Sequence, residues 1–217
     1  MLQELILWQD AVARDGPLNM AIDDWLWNHA ARPILRVYGW LPQWVSIGYF
    51  SQWAQLPEAT TFVRRPTGGG LVEHGSDWPY TLVIPRGWEL AEMPGAESYR
   101  VIHQALEKVL VGEGVDCRLT EQAGDEPSDL CFRHPVVHDV IAVNGTKLAG
   151  AGQRRGKSGL LHQGSLRCES LRVDDRGRRF AEQLALAVKT TPPTLDWDWI
   201  HQRAAELYAS SAWNRKK

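Results

Sequence analysis

The chain has 217 residues, 44% hydrophobic and 23% charged, with a formal net charge of −2 and a pI near 6.4. That composition suits one globular domain with a sizeable core and gives no electrostatic basis for binding nucleic acid or an anionic membrane. Cys117, Cys131 and Cys168 lack CxxC spacing, which argues against a disulfide framework or a structural metal site. No basic segment precedes an apolar run at the start, and no apolar stretch approaches membrane-spanning length, so the expected location is the cytoplasm. The eleven tryptophans serve packing or line a pocket for an elongated apolar ligand.

Leu2 to Trp8 reads as a strand. Asp15-Gly16-Pro17 then opens a helix, since proline suits the first helical turn. Leu18, Ala21, Ile22, Trp25, Leu26 and Ala30 share one face, which predicts an amphipathic helix over Pro17 to Ala31. Strands are expected at Ile34 to Gly39, Trp44 to Gly48, Thr61 to Arg65, Gly70 to His74 and Tyr80 to Ile84. Tyr99, Ile102, Leu106, Val109 and Leu110 define a helix over Ala96 to Val111, with Gly112 as its stop.

Thr120 to Ser128 is polar and acidic and reads as a mobile loop. Val137 to Val143, Asn144-Gly145 and Thr146 to Gln153 predict a hairpin on a two-residue type I′ turn. Gly159 to Arg167 adds a strand, and two helices are expected over Arg178 to Lys189 and Asp196 to Ser210. Strands with short turns between flanking helices indicate an α+β fold on a mixed sheet.

The segment Arg64-Arg65-Pro66-Thr67-Gly68-Gly69-Gly70-Leu71-Val72-Glu73-His74 carries the strongest chemical signal. Three adjacent glycines cost about 2 kcal/mol against alanines, a penalty tolerated where backbone lies against a ligand or adopts unusual dihedrals. The two arginines add cations suited to a carboxylate or phosphate. A glycine-rich turn with solvated arginines is the alternative.

Lys147, followed by Leu148-Ala149-Gly150-Ala151-Gly152, can present its ammonium to an acyl carbonyl where small residues permit close approach. An exposed strand lysine is the plainer reading. Cys131, beside Arg133 and His134, is a candidate nucleophile or a buried small hydrophobe. His74 and His162 each contact a ligand or satisfy a polar neighbour. No Ser/His/Asp arrangement shows recognisable local grammar, no metal-ligand spacing appears, and the glycine run is not a P-loop.

Together these segments resemble the lipoate–protein ligase and octanoyltransferase family, which shares its catalytic domain with biotin–protein ligases. The resemblance spans about residues 13 to 170. It rests on Asp15 to Asp24, on Arg36-Val37-Tyr38-Gly39-Trp40-Leu41-Pro42 with Ser46-Ile47-Gly48-Tyr49, and on Arg64 to Gly70. Asn144-Gly145-Thr146-Lys147-Leu148-Ala149-Gly150 and His162-Gln163-Gly164-Ser165-Leu166 complete the set in the family's order. Gly75-Ser76-Asp77-Trp78-Pro79 departs from the usual His-x-x-Gly-Asn continuation.

The resemblance implies a mostly antiparallel sheet flanked by helices. It also implies a single catalytic domain over 1–217, with a short helical extension at about 172–217 and no full accessory domain. Arg65, Gly68, Gly69 and Gly70 would line the acyl site, and Leu71, Val72 and Glu73 would continue its wall. His74, Gly150 and His162 complete the expected binding set. Tyr38, Trp40 and the first helix would form a tunnel for an eight-carbon chain. Lys147 would hold the carboxyl or thioester oxygen.

Cys-Phe-x-x-Pro before Asp139 and the lysine motif resembles the cysteine-dependent octanoyltransferases, which makes Cys131 the implied nucleophile. The implied reaction takes an octanoyl or lipoyl group from acyl carrier protein to a lysine of a lipoyl domain or glycine cleavage H protein, without a cofactor or metal. The alternative is a lipoate–protein ligase using lipoate, ATP and Mg²⁺. A non-catalytic acyl-binding protein is a third reading.

Overall fold

A computed structural model describes residues 1–122, 135–168 and 175–216. Cys131 and most of the loop expected over Thr120 to Ser128 lie outside the described residues. The elements are β1 (Leu2–Gln9), α1 (Gly16–His29), β2 (Ile34–Val37), β3 (Trp44–Ile47), β4 (Thr61–Arg64), β5 (Val72–Glu73), β6 (Trp78–Pro85), α2 (Glu89–Glu92) and α3 (Gly95–Gly112). They continue with β7 (Cys117–Leu119), β8 (Val140–Ala142), β9 (Lys147–Gly156), β10 (Gly159–Leu166), α4 (Arg176–Leu184), β11 (Ala185–Lys189), α5 (Trp197–Arg203) and α6 (Ser211–Asn214).

Among the described residues, eight strands form one sheet in the order β11-β1-β2-β6-β10-β9-β8-β7, and β4-β3-β5 form a smaller one. In the large sheet only β1 pairs in parallel, with β11 and β2; the remaining pairings are antiparallel. The expected α+β fold with a mixed, mostly antiparallel sheet is what the chain adopts.

Strand alternation divides the core in two. From β6, Tyr80, Leu82 and Ile84 join Ile102 and Leu106 of α3 and Phe180 of α4 on one face. Val83 of β6 and Leu161 of β10 face the other way, onto Met20, Ile22 and Leu26 of α1, with Ile200 and Tyr208 beyond. α1 begins where Asp15 accepts a 2.9 Å hydrogen bond from the Leu18 amide, with Pro17 in the first turn. Its first residue packs against the small sheet: a Cβ on Gly16 would lie 2.6 Å from both Trp44 and Val63. That contact seats the small sheet over the α1 side of the large one.

Two expectations are corrected. The helix expected to run to Lys189 stops at Leu184, and Ala185–Lys189 becomes β11, paired in parallel with Leu2, Glu4, Leu5 and Ile6. Edge pairing overrides the helical propensity of an alanine- and leucine-containing stretch.

The β8–β9 connection is also not a two-residue type I′ turn. The Gly145 amide bonds the Ala142 carbonyl, the Ala142 amide bonds the Thr146 carbonyl, and Gly145 has φ 84° while Asn144 is not left-handed. That is a three-residue loop, Val143 to Gly145, in which glycine takes the left-handed position. A register shift at Val140/Ile141 follows on the strands. The helix expected at Asp196 to Ser210 is α5 continued by a π-helical turn, Ala204–Tyr208. No helix of the described residues is long and apolar enough to cross a membrane.

Candidate active site

Lys147 opens β9, and its ammonium lies 2.7 Å from Asp139 Oδ2, with both side chains buried. Asp139 is held from two further sides: the Val136 amide donates to Oδ2 at 2.7 Å and the Tyr99 hydroxyl donates to Oδ1 at 2.5 Å. Tyr99 in turn accepts from the Ala151 amide at 2.9 Å. Burial and then the Asp139 charge raise the Tyr99 hydroxyl well above its ordinary pKa, so it remains a donor. The ion pair fills the space a side chain would take at Gly150, where a Cβ would lie 2.6 Å from Lys147 Nζ and 3.1 Å from Asp139 Oδ1.

Two residues along the same strand face, about 6.7 Å away, Gly152 meets the triglycine turn. A Cβ there would lie 2.3 Å from the Gly68 carbonyl oxygen and 2.9 Å from Thr67 Oγ1. A Cβ on Gly48 would strike the Gly69 carbonyl oxygen. Of the three glycines, Gly69 needs its freedom, at φ 92°. Gly68 has no positive φ, and a Cβ on it would meet nothing within 4 Å. Its bare face opens onto free space.

The two arginines serve the backbone. Arg65 donates to the Gly68 and Gly70 carbonyls at 3.1 and 2.9 Å and to Ser46 O and Oγ at 3.0 and 2.8 Å, which fixes the turn's shape. Arg64 turns inward and donates to six carbonyls, those of Gly48, Tyr49, Ser51, Trp213, Asn214 and Lys216.

Thr67 Oγ1 donates to Gln163 Oε1 at 2.8 Å, and Gln163 Nε2 donates to Asp23 at 2.7 Å. Asp23 also pairs with the buried Arg36. The turn is thereby tied through Gln163 to α1.

Tyr38, Trp40, Ser46, Arg65, Val72, His74, Gly150, Gly152 and Ser165 line one cleft. It encloses about 20 Å³ of free volume, enough for one water. Trp40 stacks on His74 at 3.8 Å and 4°, closing the space. Along the wall, Ser46 Oγ lies 2.8 Å from His74 Nε2, and His74 Nδ1 lies 2.8 Å from Asp77 Oδ2. Ser165 Oγ donates to the same Asp77 oxygen at 2.6 Å, and the Gly75 amide donates to Oδ1 at 3.1 Å. On its other side, Lys147 borders an open depression with Ser76, Asn144, Thr146, Arg167 and Cys168.

The structure gathers Arg65, the glycine turn, Val72, His74, Gly150 and Lys147 into this region, with Leu71 half-buried beside it. Glu73 is exposed and reaches toward Arg167. His162 points to the opposite face of the sheet, where it meets the Tyr80 hydroxyl, Gln153 and the rings of Tyr99 and His103. Residues not singled out from the sequence as site residues include Tyr99, Gln163 and the Ser46 and Asp77 partners of His74. Tyr99, Gln163 and Ser46 find their partners far along the chain, whereas Asp77 lies three residues from His74 with no recognisable motif to mark the pair. Among the described residues no cluster of His, Cys, Asp or Glu is arranged to hold a metal.

The profile of the lipoyl protein ligase A/B catalytic domain matches residues 15–188. The chain belongs to this family. It is 33% identical over 204 residues to octanoyltransferase LipM of Kyrpidia tusciae, covering 79% of this chain and 73% of that protein. It is 27% identical over 263 residues to octanoyltransferase LipM of Bacillus subtilis, covering 92% and 94%. The solved structure of a bi-partite lipoate protein ligase and its E2 lipoyl domain from Thermoplasma acidophilum matches with a TM-score of 0.75 at 18% identity, covering 98% of this chain and 96% of that one. At that identity the match is one of fold. The family member described here is an enzyme.

Proposed function

We propose that this enzyme, working as one catalytic domain, moves an octanoyl group from acyl carrier protein to a lysine of a lipoyl domain or glycine cleavage H protein, through a thioester on Cys131. The octanoyltransferases among its relatives support that reading over an ATP- and Mg²⁺-dependent ligase. The observation that carries it is the placement of Gly150 and Gly152 on one strand face, one against the Lys147 ammonium and the other against the triglycine turn.

A fatty chain lying along Gly152, Gly68 and Trp40 would bring its carbonyl to the Lys147 end of the slot. There a fixed ammonium, aimed by Asp139, stabilises the oxyanion formed when a thiolate or an amine attacks. Each buried methylene contributes about 0.8 kcal/mol, which provides the work of parting the Trp40–His74 stack. The open depression on the far side of Lys147 leaves room for the donor or acceptor protein.

Incubation with octanoyl acyl carrier protein should give an octanoyl adduct by intact mass, removable with hydroxylamine and absent in Cys131→Ala. An unchanged adduct on Cys131→Ala would refute the thioester. Lipoylation of an acceptor domain that requires ATP and no acyl carrier protein would refute the transferase in favour of the ligase.

A further inference from the structure

Acyl transfer through Cys131 and Lys147 makes no use of the hydrogen-bonded line from Ser46 to Asp77. Its three elements come from the end of the small sheet and the loop into β6, and their order is that of an activated hydroxyl: nucleophile, imidazole, orienting carboxylate. Asp77 assigns the protons. Burial acts to raise its carboxyl, but the hydrogen bond and charge of His74, with Ser165 and the Gly75 amide, outweigh it and hold the carboxyl below its ordinary value. The ionised carboxylate takes the Nδ1 proton at 2.8 Å. Burial lowers the His74 pKa despite Asp77, so the imidazole is neutral near pH 7 and its Nε2 faces Ser46 Oγ as an acceptor.

Two further features belong to a reacting centre. Arg65 Nη1 lies 2.8 Å from Ser46 Oγ, a fixed cation beside the oxygen that gives up its proton. The Trp40 indole nitrogen is buried and finds no acceptor among the described residues, although Trp40 lines the same cleft. A buried donor without a partner costs roughly 1–3 kcal/mol. A ligand oxygen in the cleft would relieve it.

We propose that Ser46 is a second nucleophile of this protein, activated by His74 and Asp77, and that it hydrolyses small carboxylic esters independently of the Cys131 thioester. Ser46 Oγ bonds to the ester carbonyl carbon while its proton passes to His74 Nε2. The tetrahedral intermediate collapses with cleavage of the C–O bond, and the departing alkoxide takes the proton from His74. Water then attacks the acyl-serine, giving its proton to His74. The free carboxylic acid leaves, and the proton returns to Ser46 Oγ. No oxidant, metal or nucleotide enters. The inference rests on the acyl-slot reading in one respect, because the Trp40–His74 stack must part to admit an ester as it must to admit an acyl chain.

The test uses the full chain carrying Cys131→Ala, so that no thioester forms, together with diisopropyl fluorophosphate and p-nitrophenyl butyrate. We expect one diisopropylphosphoryl adduct by intact mass, located on Ser46 by peptide mapping. Butyrate ester hydrolysis should fall at least tenfold in Ser46→Ala and in His74→Gln. If Ser46→Ala fails to fold, Asp77→Asn provides the second variant, with the same loss expected. An adduct on another residue, no adduct, or undiminished hydrolysis in folded Ser46→Ala or His74→Gln would overturn the proposal. Octanoate binding is measured in parallel by tryptophan fluorescence. Binding of octanoate without labelling of Ser46 overturns this inference alone, whereas absence of both overturns the acyl slot as well.

Discussion

Gly68 and Gly152 lie against one another and are bare for different reasons. Gly152 is required by the protein itself, because a Cβ would lie 2.3 Å from the Gly68 carbonyl oxygen, a backbone atom that cannot swing aside. Gly68 is not so constrained, since its Cβ would enter open space at an unstrained φ. Gly152→Ala should therefore displace the turn and lower both melting temperature and acyl transfer, the latter by tenfold or more. Gly68→Ala should leave stability within about 0.5 kcal/mol, as for a surface substitution, yet raise KM for the acyl donor. Equal loss of stability in the two variants would contradict this assignment. The ion pair gives a second contrast. Removing the Asp139 carboxylate takes away the counter-charge 2.7 Å from the buried Lys147 ammonium, so Asp139→Ala should cost about 3–5 kcal/mol in a denaturant titration. The triglycine run and Lys147 are legible as chemistry in the sequence, whereas which glycine is bare for the fold and which for a ligand emerges only from what each one touches.

At the scale of elements, α3 carries a titratable group into the core beside this site. His103 is fully buried, its Nδ1 lies 2.7 Å from the His138 carbonyl, and its Nε2 finds no partner among the described residues. Burial, only partly offset by Asp139 and the His138 carbonyl, pushes its pKa down to about 4. The unfolded chain, with histidine near 6.5, binds the proton more readily, so the contribution of neutral His103 is fully present above pH 6.5 and is lost as pH falls toward 4. Between pH 7 and pH 5 the loss from His103 is about 2 kcal/mol. His74 and His162, also lowered chiefly by burial, add to it in the same direction. Thermal melts should show a steep drop over that range, and His103→Asn, whose amide can still donate to the His138 carbonyl, should flatten it. An unchanged slope would exclude His103 as a source. The helices α1 and α3 are legible from periodicity, and β6 and β10 from apolar runs that are buried on both faces. β11 is not, because Ala185–Lys189 owes its form to the exposed edge of β1 rather than to its own pattern. Likewise, Asn144-Gly145 signals a hairpin correctly while leaving the loop length to the ladder that closes around it.

Across the whole molecule, the end of the chain is built into the support of the glycine turn. Arg64 has no carboxylate partner among the described residues; its six carbonyl acceptors come half from Gly48, Tyr49 and Ser51 and half from Trp213, Asn214 and Lys216. The Asn214 side chain accepts from the Arg64 amide at 2.8 Å, and the Trp213 indole donates to the Arg64 carbonyl at 2.8 Å. One guanidinium thus joins the C-terminal turn to the segment bearing Gly48, whose bare face holds the Gly69 carbonyl. Burial lowers the Arg64 pKa, yet its fork of donors keeps the group charged and bound on both sides. Deleting residues 211–217 removes half of those acceptors. At about 1.5–3 kcal/mol for each hydrogen bond to a charged group, the truncated protein should lose several kcal/mol and release the turn. Arg64→Lys should behave similarly, since an ammonium cannot span both sets of carbonyls. The decisive comparison is acyl transfer at a temperature where both variants remain folded by circular dichroism. Activity reduced at least tenfold there would show that the tail acts through the turn, and wild-type activity would restrict it to a stabilising role.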